Sequence, residues 1–195
     1  MTPEPIVVRE PGESTTRMAG VAGRGVGLLI LVVLTWKVLA QGLSFQGGDV
    51  LSFIHGIDLV FHEAGHVIFG FFGEFIAVAG GSLMQVLIPV ITTVAFLRTR
   101  QWASAAVTLF WTGQSITDVA IYAADGRARA LPLLAEGMIH DWHYILGRLG
   151  LLQSAETVGR LIFILGASTM FAALVLLGLD TLRCWNAPAS SAEPA

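Results

Sequence analysis

Residues 50–73, VLSFIHGIDLVFHEAGHVIFGFFG, decide how the rest of the chain is read. The stretch is long enough to cross a bilayer core, which takes ~20 residues of α-helix. Yet it carries Asp58, His62, Glu63 and His66 inside an otherwise apolar run. A charged side chain at the bilayer centre costs about 2.5–3.5 kcal/mol even on the mildest scale, so such residues should face protein and hold one another or a metal. His62-Glu63-Ala64-Gly65-His66 spells H-E-x-x-H. On a helix, residues i and i+4 lie about one turn apart on one face, so both imidazoles can address one cation. Glu63 then stands beside the attacking water and serves as general base. Zinc suits this donor set, because it takes imidazole and carboxylate tetrahedrally and leaves a position open. With five histidines and eight glutamates in 195 residues, the pattern arises by chance in on the order of one such sequence in 200.

The whole composition agrees with a lipid solvent. Apolar residues make up 54% of the 195-residue chain and charged residues 13%, about half the usual charge of a soluble domain. Mean hydropathy is +0.72. One soluble core of this size cannot hide that much apolar surface, and disorder is excluded by the same numbers. Cys184 is the only cysteine, so there is no disulfide scaffold. A net charge of −3 without a basic block argues against a nucleic-acid partner.

The expected fold is all-α, a polytopic membrane bundle of about five transmembrane helices. The spans are residues 25–41, with Lys37 snorkelling to an interface; 50–73; one within 75–97; 101–124, containing Asp118; and 161–179. Gly80-Gly81 predicts a turn or extended stretch with the third helix starting near Ser82, and Pro89 predicts a kink. Residues 125–160 form a helical, interfacial linker containing His140-Asp141-Trp142-His143-Tyr144. Residues 1–24 are expected to be a flexible tail, 25–183 the membrane-embedded domain and 184–195 a disordered tail. With five spans, seven arginines fall on the side of the N-terminus and three on the other, which puts the N-terminus in the cytoplasm.

Zinc needs a third protein ligand, and Asp118, Asp125, His140, Asp141 and His143 are available. If spans two and four cross the bilayer in the same direction, Asp118 matches His66 in depth to within a turn, so Asp118 is the expected ligand. His140, on a linker folding back into the membrane, and Asp125 are the alternatives, and His143 is read as interfacial. Gln114 and Tyr122 lie one turn from Asp118 on its face and can support it. Asp58 can take the free nitrogen of His62, whereas His55 is expected to face water. An exposed backbone at Gly80-Gly81-Ser82 would let an extended peptide add as a strand, though an ordinary turn is the simpler expectation.

These residues resemble intramembrane zinc metalloproteases of the site-2 protease class. The likeness rests on Phe61-His62-Glu63-Ala64-Gly65-His66 in a membrane segment, followed by an aspartate two spans later. It implies His62 and His66 as ligands, Glu63 as catalytic base, an aspartate as third ligand, and a transmembrane or membrane-proximal protein substrate. The class carries its aspartate in a Leu-Asp-Gly motif; the nearest string here is Ala124-Asp125-Gly126, which keeps Asp125 in play. There is no room for an inserted peptide-binding domain. Residues 113–133 with His140-Asp141-Trp142 resemble a compact branch of the class. Two other functions use the same residues: a zinc hydrolase acting on a lipid amide or ester, and a catalytically silent membrane protein that binds a metal or partner.

Overall fold

The computed structural model describes residues 11–44, 50–132 and 139–187. Among them the chain is all helical: α1 Pro11–Gln41, α2 Val50–Phe69, α3 Glu74–Arg98, α4 Trp102–Asp125, α5 Asp141–Arg148 and α6 Ala155–Asn186. Short 3-10 turns at Gly70–Phe72 and Leu152–Ser154 lead into α3 and α6. Three helical stretches are long and apolar enough to cross a membrane, Thr15–Gln41, Glu74–Arg98 and Leu152–Asn186. α2 and α4 have the length, but the histidines and carboxylates of the one and the Ser, Thr, Gln and Asp of the other lower their hydropathy.

Large apolar side chains lie on the surface, and many polar ones are buried. Leu29, Val60, Val67, Leu161, Ile164 and Val175 are exposed, whereas Asp58, His62, Gln85, Ser115, Asp141 and Asp180 are buried. α4 forms the centre, packed most extensively on α6 and also on α3; α2 lies against α3, and α1 against α6. Small residues let α4 and α6 approach closely: a Cβ on Gly113 would strike the Gly166 carbonyl and Met170, the kind of contact by which helices associate in membranes. Leu31, Val38, Leu51, Phe110, Met170 and Leu177 make the apolar core.

Contacts along the helices fix their directions. Arg24 Nε donates to Asp180 Oδ2 at 2.6 Å, and Arg17 Nη1 to the Ala187 carbonyl at 3.1 Å, so the start of α1 lies beside the end of α6. Arg183 sits over the Trp102 ring, 5.5 Å from its centroid, which brings the start of α4 to that same end. Gly159 packs on Ala120 and Ala124 at the opposite end. α1, α3, α4 and α6 therefore alternate in direction along the bundle. α2 does not join the alternation. Ser52 starts it beside Gln41 and Thr117, and the Gly70–Phe72 turn finishes it at the start of α3, so α2 begins and ends in the same half of the bundle.

Several expectations are corrected by this arrangement. Five alternating spans would leave the two ends of the chain on opposite sides, whereas the start of α1 and the end of α6 lie together. α1 starts at Pro11, well before residue 25, and α6 runs beyond 161–179 in both directions, because the two added lengths pair through Arg24 and Asp180. Residues 1–10 and 188–195 lie outside the described residues. Gly80-Gly81-Ser82 is neither turn nor strand-like edge but lies inside α3. A helical glycine costs roughly 1 kcal/mol relative to alanine, but here it lets α3 touch α2: a Cβ on Gly80 would come within 2.7 Å of the Phe69 Cβ. Pro89 also lies within α3. A proline removes the N–H that would bind the carbonyl four residues earlier, and the Gln85 carbonyl accepts from Ser115 Oγ of α4 at 3.1 Å.

Candidate metal centre

His62, Glu63 and His66 form a group able to hold a metal ion, their nearest donor atoms lying within 4.8 Å of one another. The helical i, i+4 spacing puts the two imidazoles edge to face, with centroids 4.9 Å apart. Their backs are held. His66 Nδ1 lies 2.9 Å from the Ala77 carbonyl, which can only accept, so Nδ1 carries the proton. His62 Nδ1 lies 3.1 Å from Gln85 Oε1 and is a donor for the same reason. Both Nε2 atoms turn to one carboxylate oxygen, Asp141 Oδ2, at 2.8 Å from His62 and 3.3 Å from His66.

Asp141 is the first residue of α5, and that short helix is tied down at its beginning. Its backbone N–H donates to the Tyr122 hydroxyl at 3.2 Å. Trp142 Nε1 donates to Ser82 Oγ at 3.0 Å, which joins α5 to α3. His140 caps the helix, its Nδ1 accepting from the His143 N–H at 3.3 Å. The His140 Nε2–H then donates to Asp125 Oδ2 at 3.1 Å, and Asp125 also receives the N–H groups of Ala130 and Leu131. His143 Nδ1 donates to the Gly126 carbonyl at 2.8 Å. His140 and Asp125, the alternative third ligands, are thus paired with each other.

Asp118 lies elsewhere. Its Oδ2 accepts from His55 Nδ1 at 2.8 Å and from Gln85 Nε2 at 2.9 Å. The physical reason is the course of α2, which starts beside Gln41 and Thr117 and ends at the start of α3, so equal counting from the starts of α2 and α4 does not give equal depth. His55, with its side chain 34% exposed, also meets Asp118. Asp58, which could have taken the free nitrogen of His62 or faced water, is buried and accepts from Trp111 Nε1 at 2.8 Å, and Gln85 stands on the imidazole. Neither Gln114 nor Tyr122 is a partner of Asp118 here.

Asp141, one of five groups the sequence offered, is the carboxylate that both Nε2 atoms face; its place in a linker gave no reason to prefer it, apart from an acidic residue opening an amphipathic segment. Gln85 gave no signal, since a neutral amide in an apolar helix is unremarkable by composition.

The donor set can be tested against a cation. With Nδ1 protonated, each ring turns its Nε2 to the carboxylate, so the three atoms share either protons or one cation. Burial raises the Asp141 carboxyl, but the hydrogen bonds with His62 and His66 outweigh it and hold the group below its ordinary value, as an anion. Ligands about 2.0–2.2 Å from a tetrahedral zinc stand roughly 3.3–3.5 Å apart. The His66–Asp141 separation of 3.3 Å matches, and the His62–Asp141 pair at 2.8 Å needs only a small turn of the carboxylate. The residues fit a divalent metal. A cavity of about 310 Å³ runs from this cluster to His55 and Asp118, with Glu63 on its wall and Leu59, Ile121 and Ile139 among its apolar lining. Comparison of the chain with protein-family models, curated proteins and solved structures returned no match.

Proposed function

We propose that the protein is a zinc-dependent membrane hydrolase that cleaves a peptide bond within or beside the bilayer. His62, His66 and Asp141 hold the metal, and Glu63 is the catalytic base. One observation carries this reading: two Nε2 atoms, whose rings are each anchored through Nδ1, converge on one carboxylate oxygen beside the Glu63 side chain. Among the described residues no hydrogen bond holds Glu63, and in an H-E-x-x-H helix the glutamate serves as base rather than ligand. Zinc held there would supply Lewis-acid polarisation of the scissile carbonyl and lower the pKa of water. Glu63 takes the proton of the attacking water and returns it to the leaving nitrogen. His62 and His66 are kept from rotating by Gln85 and Ala77. The chain's resemblance to the site-2 protease class favours a peptide over other carbonyl substrates.

The bundle directions support four membrane crossings, α1, α3, α4 and α6, with α2 re-entrant. The metal centre then lies toward the membrane face opposite the two termini. The apolar wall of Leu59, Ile121 and Ile139 is the observation that favours a second substrate class, a lipid amide or ester. The test offers purified, zinc-loaded protein both a hydrophobic transmembrane peptide and a lipid amide, with Glu63→Gln as control. Glu63-dependent peptide products are expected. Lipid products alone would replace the substrate class, and zinc binding without either product would leave a binding protein.

A further inference from the structure

We infer that Asp118 and Gln85 are positioning residues that select which nitrogen of His62 is offered to the metal. The inference rests on the metal-centre reading above and concerns a chain of hydrogen bonds behind it. His55 Nδ1 donates to Asp118, Gln85 Nε2 donates to Asp118 Oδ2 at 2.9 Å, and His62 Nδ1 donates to Gln85 Oε1 at 3.1 Å.

Each link follows from what the groups can do. An ionised carboxylate only accepts, so whatever part of the Gln85 amide faces Asp118 must be its NH2. The amide is planar, and its oxygen is then the part left for His62. An oxygen can only accept, so the His62 nitrogen facing it must carry the proton, which makes Nε2 the lone-pair nitrogen directed at Asp141. Without Asp118 the amide is free to turn over. Its NH2 would then face His62 Nδ1, the proton would move to Nε2, and the ring would present an N–H where a cation must bind.

The surroundings hold this chain in place. His62 and Gln85 are buried, and the Asp118 side chain is 12% exposed. The Gln85 backbone is fixed by Ser115 through the carbonyl that Pro89 leaves without a helical partner. Nothing but a side chain able to donate one way and accept the other can pass the instruction from Asp118 to His62. Glutamine does so because its two ends differ.

The experiment titrates the purified full-length protein in detergent with cobalt(II), whose visible absorption reports tetrahedral coordination directly and needs no turnover. Asp118→Asn and Gln85→Leu should each weaken cobalt binding by about 10- to 100-fold, the usual cost of losing a partner behind a metal-bound histidine. The double variant Asp118→Asn with Gln85→Glu restores the logic: Glu at 85 accepts from His62 and from the amide of Asn at 118. Its affinity should return to within about threefold of the parent. Parent-like binding by Asp118→Asn, or a folded double variant that binds no better than Asp118→Asn, would overturn the inference. Failure of the parent itself to bind cobalt would instead refute the metal centre. Because the double variant keeps every buried hydrogen bond, poor folding of Gln85→Leu does not remove the test.

Discussion

Removing the Asp141 carboxylate by Asp141→Ala should lower zinc affinity by at least about a hundredfold, more than the loss of a supporting hydrogen bond costs. Equilibrium dialysis measures this, and a variant that keeps its zinc would show that α5 supplies no ligand. Glu63→Gln should leave zinc content unchanged and reduce turnover by about 10²–10⁴-fold, the share that a positioned general base contributes. Much of this was open to a reader of the sequence, because the i, i+4 relation of His62 and His66 is local and any helix enforces it. Asp141 depends on how residues 125–160 return to the bundle, and no local rule gives that. Gln85 depends on the tertiary meeting of α2, α3 and α4, and its type is chemically quiet until a histidine lies beside it.

At the scale of helices, the approach of α2 to α3 decides whether the two imidazoles have room. A Cβ on Gly81 would lie 2.5 Å from His62 Nε2 and 2.7 Å from His66 Cε1. Gly81→Ala should therefore displace both rings and abolish zinc binding while helix content by circular dichroism stays unchanged. Normal zinc content in that variant would mean that the rings do not stand against α3. Gly65 is tighter still, since its Cβ would run into the Gly80 carbonyl, and Gly65→Ala should also lower thermal stability. The anchoring of α5 gives a milder expectation: Asp125→Ala frees His140 and the Ala130 and Leu131 N–H groups. Zinc affinity should fall by roughly tenfold, within the range for supporting groups. The long helices could be located from apolar runs alone. Gly80-Gly81 was misread as a break because glycine's low helix propensity is a local property, while its value in close packing belongs to two helices at once.

For the whole molecule, the pairing of Arg24 with Asp180 places the start of α1 and the end of α6 on one side. Reporter tags at the two ends of the chain should show the same sidedness in protease-protection experiments on intact vesicles; opposite sidedness would contradict the bundle. Charge gives little help with which side is cytoplasmic. Once α2 is taken as re-entrant, the ten basic residues among the described ones divide evenly: Arg17, Arg24, Arg98, Arg100 and Arg183 lie toward the end where α1 starts and α6 finishes, and Lys37, Arg127, Arg129, Arg148 and Arg160 toward the other. Counting α2 as a full crossing gives the stronger asymmetry of the five-span arithmetic. Helices long and apolar enough to cross a membrane were legible from composition, whereas the direction of each helix required the contacts between them. All of the proposed chemistry depends on one cation where the two imidazoles of α2 face Asp141 of α5. Anomalous diffraction at the zinc edge from zinc-loaded crystals tests this most directly: a single peak should lie between His62 Nε2, His66 Nε2 and Asp141 Oδ2, whereas a zinc-loaded protein with its peak at Asp118, or at any position away from the two histidines, would contradict the account.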